Sequence, residues 1–274
     1  MKNYEYLKPK YRSKLRTFFG KKYYTIVRYF QWYFGKEKYT CISKNLKLDY
    51  PISDHKTPLY RKLKDVDMWM QHNKVENLKI AIKHIDGLVI RPGETFSYWK
   101  AIGKPTKFKG YKDGMVLHYG KFKPGPGGGL CQLSNLLYWI TLHTPLTVVE
   151  RHRHSFDVFP DSQRTQPFGS GATCVYNYRD LQIRNDTNET YQFKISVDDE
   201  YLIGELLSDK PKYFSYKIYE KDHEFTHAFW GGYIRHNQIS REIYNLSGER
   251  VDDEPVCENH ALMMYEPLLS HSES

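Results

Sequence analysis

Cys131, His154 and Asp180 have the residue types and the chain order of a thiol catalyst. Cys131 closes the run Pro124-Gly125-Pro126-Gly127-Gly128-Gly129-Leu130-Cys131 and opens a stretch with helical periodicity. A thiol at a helix N-terminus meets outward-pointing N–H groups and the positive end of the dipole. That setting lowers a thiol pKa. The candidate base is His154, or His152 before it, in Glu150-Arg151-His152-Arg153-His154-Ser155. Asp180 is the candidate orienting acid and Asp157 a nearer alternative. The implied chemistry is attack of a cysteine thiolate on an amide or ester carbonyl. His154 would shuttle the proton and the acid would hold its tautomer. N–H groups at the helix start, that of Gln132 among them, would supply oxyanion donors.

Around these residues a substrate would meet Gly127, Gly128, Gly129, Gln132, Ser134 and Asn135. Arg151 and Arg153 could bind a carboxylate or phosphate. The competing reading is structural. The glycines then permit close backbone packing, Cys131 is a small buried hydrophobe, the histidines are structural and the arginines form a solvated edge. A zinc site of His152, His154, Cys131 and Cys174 is a rival, but no close ligand spacing involves Cys131, so no metal is expected. His223/His227 and Cys257/His260 have ligand-like spacing without a second signature. The glycine run lacks the Lys-Ser/Thr of a phosphate loop, and no cofactor is expected.

The elements that would carry these residues follow from periodicity. Leu133, Leu136, Leu137 and Ile140 recur at helical spacing, which predicts a helix over 130–143 with those residues inward. Cys131, Ser134, Asn135 and Tyr138 fall on its other side. A further helix is expected at 75–85 and a buried strand at 88–90. Strands are expected at 146–150, 173–178, 181–184, 191–197 and 201–207, with a hairpin near Ser247-Gly248. Helices early and strands late predict an α+β fold, a helix-start cysteine packed on a mostly antiparallel sheet.

The formal net charge of +9 over 274 residues is confined to one end. Residues 1–40 hold eleven Lys/Arg and two acids, so the remainder is neutral. Thirteen aromatics are interleaved with those bases. This basic, aromatic arm suits an anionic membrane surface; packing on the body is the plainer reading. A neutral body makes nucleic acid an unlikely partner. The expected organisation is an arm at 1–40, a central domain at 41–210 and a β-rich extension at 211–274. No apolar signal segment opens the chain, and Tyr23–Phe34 is too short and too charged to span a bilayer. These features predict a cytoplasmic protein, peripheral at the inner membrane face. Cys41, Cys131, Cys174 and Cys257 lie far apart, as reduced thiols do.

The motifs resemble the VanW family. The matching residues are Pro92-Gly93-Glu94-Thr95-Phe96-Ser97 and Gly127-Gly128-Gly129-Leu130-Cys131-Gln132-Leu133-Ser134-Asn135-Leu136-Leu137-Tyr138. They continue through Val149–Ser155 to Gly171-Ala172-Thr173 and Asp180-Leu181, covering roughly residues 75–200. The resemblance implies a family named for its place beside vancomycin-resistance genes, with no established activity. Cysteine, then histidine, then acid is also the order of elements in papain- and transglutaminase-like enzymes. Together these readings predict a cysteine-dependent acyl transferase or hydrolase. Its substrate would be a peptide-like amide, and the family's genetic setting suggests a cell-wall precursor. The alternative is a non-catalytic ligand-binding module at the membrane face.

Overall fold

The computed structural model describes residues 7–8, 12–40, 46–60, 67–118, 121–158 and 166–265. Cys41 and part of the arm lie outside these residues. Helix α1 (Lys14–Phe34) starts at Ser13, whose side chain accepts the Arg16 N–H, and stops at Gly35. It is followed by β1 (Lys38–Tyr39), β2 (Tyr50–Pro58), α2 (Met68–Ile82), β3 (Val89–Ile90), β4 (Glu94–Ser97) and α3 (Tyr98–Ile102). The hairpin β5 (Asp113–His118) and β6 (Lys121–Pro126) leads into α4 (Cys131–Leu142). Next come β7 (Thr147–Glu150), β8 (Phe156–Asp157), β9 (Gln182–Arg184), β10 (Tyr191–Val197) and β11 (Tyr201–Ser208). The long strands β12 (Ser215–His227), β13 (Tyr233–Tyr244) and β14 (Arg250–Met263) are the last described elements.

The strands form sheets ordered β1-β4-β9-β7, β2-β11-β10-β3 and β12-β13-β14-β8, beside the β5-β6 hairpin. Neighbours are antiparallel except β1 with β4 and β14 with β8. The fold is therefore α+β with mostly antiparallel sheets.

Helix α4 lies against the second sheet. Leu133, Leu136, Leu137 and Ile140 are fully buried, the face expected from their spacing. Gly204 of β11 makes the approach possible: a Cβ there would press on Ile140 and Leu136. Helix α2 begins at Met68, earlier than its apolar periodicity suggests. Its first turns bury the polar side chains of Gln71, Lys74 and Asn77 alongside Val75. The Lys74 ammonium donates to the Leu59 carbonyl and to Gln71 Oε1, so polar groups seat this end.

One expected strand is absent. Residues 173–178 form no ladder; Val175 and Arg179 close a tight turn through Val175 N–H to the Arg179 carbonyl. The aromatic and β-branched composition there serves packing, as Tyr176 stands edge-on to Trp99 at 5.5 Å.

Helix α1 docks through one edge. Arg28 and Trp32 are its buried residues. Lys100 donates to the Trp32 carbonyl at 3.0 Å and lies over the rings of Tyr33 and Tyr39.

Candidate functional site

The glycine loop before Cys131 is a joint between backbones. Gly127 and Gly129 adopt φ of 72° and 91°, a region that favours glycine. Gly128 crosses Gly114 so closely that a Cβ would overlap the Gly114 carbonyl. A Cβ on Gly129 would overlap the stem of Lys74. Asn77 clamps the crossing: its Nδ2 donates to the carbonyls of Lys112 and Gly128, and its Oδ1 accepts the Lys112 N–H. Tyr98 Oη donates to the Leu130 carbonyl at 2.8 Å. The loop thus fixes the start of α4 rather than swinging as a lid.

Cys131 is the first residue of α4 and half-buried. Its Sγ lies 3.9 Å from the Cys174 carbonyl oxygen. The polar face of α4 continues this contact. Ser134 Oγ donates to the Ala172 carbonyl at 2.7 Å, and Asn135 Oδ1 accepts the Ala172 N–H at 2.8 Å. Gly171 sits where a Cβ would press on Asn135 Oδ1. The opposite side of the 171–174 segment is held by the histidine-bearing stretch. Arg151 Nε donates to the Gly171 carbonyl at 2.9 Å, and the Thr173 N–H to the His152 carbonyl at 2.7 Å. A backbone segment therefore runs between the polar face of α4 and residues 151–152.

This arrangement reassigns several residues expected to face a substrate. Ser134 and Asn135 hold a main chain. Gln132 donates its amide to Thr57 Oγ1 and the Pro58 carbonyl, while its backbone N–H goes to the Gly129 carbonyl. It therefore offers no oxyanion donor. Arg151 is committed to the carbonyls of Gly169 and Gly171 and to Asn259 Oδ1, above the ring of Tyr138. Arg153 stacks on Phe168, its guanidinium carbon 3.7 Å from the ring centroid.

The expected triad contacts are not made. No hydrogen bond joins Cys131 to His154 or His154 to Asp180 among the described residues. Burial pushes the Cys131 thiol up from its ordinary pKa, although backbone bonds oppose this. The expected low-pKa thiolate is corrected accordingly: being enclosed outweighs the helix start. His154 is held down at about 4 by burial, then by the charges of Arg179 and Arg153. Asp180 is pushed up to about 6, because burial outweighs its bonds from Ser97 Oγ at 2.5 Å and the Trp99 N–H at 3.0 Å. Its other partners are the Leu181 N–H and Gln182 Nε2. Asp180 thus caps the start of α3. Asp157, the alternative acid, is buried against Arg235 and accepts from Tyr265 Oη at 2.8 Å.

The charged network that does form is centred on Glu150. Arg28 of α1 binds it through two bonds of 2.6 Å. Glu150 Oε1 also lies 3.0 Å from His152 Nε2 and accepts the Asp180 N–H at 3.0 Å. Burial raises its pKa, but the bonds from His152 and Arg28 and the Arg28 charge outweigh that and bring it to about 2. The sequence carried two traces of this network: a lone arginine inside the aromatic run, and Glu150 placed two residues from His152. Arg179 leaves no such trace in the sequence. It is half-buried, 5.7 Å from the Tyr178 ring, and forms no ion pair among the described residues.

No group of three or more metal-ligating side chains is assembled among the described residues. Two cavities lie away from Cys131. One of about 150 Å³ is bordered by Tyr39, Leu88, Ser97 and Lys100. The other, about 210 Å³, is bordered by Tyr191, Lys210, Lys212, Tyr213, Phe214 and Tyr216.

An α+β domain whose glycine–cysteine–glutamine loop is locked to a Gly-Ala-Thr segment matches a known class. The family described as VanW like protein matches residues 73–207. The chain is 38% identical over 219 residues to the vancomycin B-type resistance protein VanW of Enterococcus faecalis, covering 80% of this chain and 79% of that protein. It is 32% identical over 117 residues to the uncharacterized protein YoaR of Bacillus subtilis, covering 43% of this chain and 37% of that one. No solved structure matches. The chain belongs to the VanW family.

Proposed function

We propose that this VanW-family protein is a non-catalytic binding module for a peptide-like molecule with a free carboxylate. The observation that carries this reading is Arg179, a half-buried guanidinium without an ion pair among the described residues, whose charge helps to keep the His154 imidazole neutral. A carboxylate there gains a charge-assisted bond from Arg179. It also relieves the repulsion on His154, which can then take up a proton and donate to the ligand. Binding should therefore raise the His154 pKa from about 4 towards its ordinary value, and it should strengthen as pH falls through that window. The protonated thiol of Cys131 and its bond to a main-chain carbonyl support a structural role for the family motif.

The acyl-transfer reading is the second one, favoured by the place of Cys131 at the first residue of α4. Two measurements separate them. A proton NMR titration of His154 with an acetylated dipeptide should move its midpoint upward, whereas the dipeptide amide should not; Arg179→Gln should abolish the shift. Iodoacetamide labelling of Cys131 should have its midpoint above that of an ordinary thiol, near 8.5. Absence of a shift with the free dipeptide would remove the binding site. A labelling midpoint below neutrality would restore the nucleophile.

A further inference from the structure

Helix α1 shows water the wrong face. Leu15, Phe19, Tyr23, Ile26, Phe30, Tyr33 and Phe34 recur at spacings of three and four, and each is 64–75% exposed. They form one continuous stripe on the side opposite Arg28 and Trp32. Phe30 and Phe34 stack on each other at 5.0 Å, within the stripe rather than against the body. Soluble proteins rarely leave so long an apolar strip open, and such strips mark a contact surface.

The charges around the strip name its partner. Lys14, Arg16, Lys21 and Lys22 on the helix, and Lys36 and Lys38 just past it, are all exposed. Residues 1–40 carry eleven bases against two acids. A second copy of this chain would set these like charges against each other. A nucleic-acid strand would want cations along the centre of the strip, where leucine, isoleucine and phenylalanine stand instead. An anionic bilayer surface satisfies both features, apolar side chains entering the acyl boundary and bases meeting headgroups. No described helix is long and apolar enough to cross a membrane, so α1 would lie in the interface plane, about 30 Å long.

We propose that the Leu15–Phe34 stripe of α1 inserts into anionic membrane, while its Arg28–Trp32 edge keeps the helix on the body. The docked edge also fixes what comes near the lipid. Arg28 holds Glu150, Tyr29 Oη meets Tyr176 Oη at 2.7 Å, and the Tyr24 ring lies 6.1 Å from that of Tyr178. The turn bearing Arg179 is thereby tied to the membrane-facing helix.

The test uses the full chain and co-sedimentation with vesicles of phosphatidylcholine mixed with phosphatidylglycerol, against phosphatidylcholine alone. Binding is expected to the mixed vesicles and to fall with added salt. The double variant Phe19→Ser/Phe30→Ser should lose at least about tenfold in partitioning, since each buried ring contributes substantially. Arg16→Glu/Lys22→Glu should lose at least about tenfold as well. Thermal melts of both variants should match the parent because all four side chains are exposed. Equal sedimentation of parent and variants would overturn the proposal. So would equal binding to both vesicle types, binding to single-stranded RNA without vesicle binding, or a dimer that the phenylalanine variant dissociates.

Discussion

Helix α1 buries an arginine and exposes its phenylalanines, whereas α4 buries its leucines and spends its polar side chains on a neighbouring main chain. Both have apolar and polar faces. What differs is what each face was given to touch. In α4 both faces are satisfied: leucines by the second sheet, Ser134 and Asn135 by the 171–174 segment. In α1 one edge is satisfied by Glu150 and the opposite face by nothing among the described residues. A polar residue in a motif is therefore weak support for a site until its partner is known. An unpartnered apolar face is stronger support for a missing partner.

The largest effect should come from the joint under α4. Gly128→Ala places a methyl into the Gly114 backbone, which Asn77 clamps through the Lys112 and Gly128 carbonyls. A loss of more than about 4 kcal/mol, or failure to fold, is expected. The matching change in α1, Gly20→Ala, meets nothing within 4 Å and should stabilise by about 0.5–1 kcal/mol through helix propensity. Thermal melts of the pair decide it. A tolerated Gly128→Ala would mean the glycine loop is a linker and α4 is positioned by its leucines alone.

The sequence showed α4 well because its core is apolar and periodic. Leu133, Leu136, Leu137 and Ile140 announce one buried face, and residues 191–197 announce a strand by alternation. The glycine run likewise fits the positive φ of Gly127 and Gly129. The sequence could not show which polar residues would be consumed by main chain. Cys131, Ser134 and Asn135 share a face whether that face meets a substrate or the Ala172 backbone. The difference lies in the path of a loop far along the chain. Asp180 is ambiguous for the same reason: an acid reads alike whether it holds an imidazole or caps α3. Arg28 shows the converse, since its burial depends on Glu150, which lies across the fold.

The next effect concerns acid. Glu150, ordinarily near 4.5, is lowered in the fold to about 2, so its stabilisation is fully present above about pH 5 and is lost as pH falls towards 2. Asp180 works the other way. Its pKa is raised to about 6, so its charge destabilises near neutrality and protonation relieves that between pH 6 and 4. Acid below pH 4 therefore reads Glu150 rather than Asp180. Glu150→Gln should cost on the order of 2 kcal/mol at pH 7, because Arg28 is left buried without its countercharge. The variant should also lose less stability than the parent between pH 5 and 3. Urea midpoints across that range measure it. Parallel acid limbs in the two proteins would show that the Arg28–Glu150 pair does not hold α1.

The smallest effect separates the charged anchor from the aromatic one. Tyr29 Oη and Tyr176 Oη are 2.7 Å apart, but this bond is exposed to water. Tyr29→Phe keeps the ring against Trp32 at 5.6 Å and removes only the hydroxyl. Water can replace the lost partner on Tyr176, so the cost should be below about 1 kcal/mol. The pH dependence of stability should remain that of the parent, since the Arg28–Glu150 pair is left intact. Hydrogen exchange of the α1 amides gives a local reading: Glu150→Gln should raise it throughout the helix, and Tyr29→Phe should barely change it. If Tyr29→Phe loosened α1 as much as Glu150→Gln, the Tyr29–Tyr176 hydroxyl bond would hold the helix as firmly as the Arg28–Glu150 pair. The direction of the outward stripe would then rest on both anchors rather than on the ion pair.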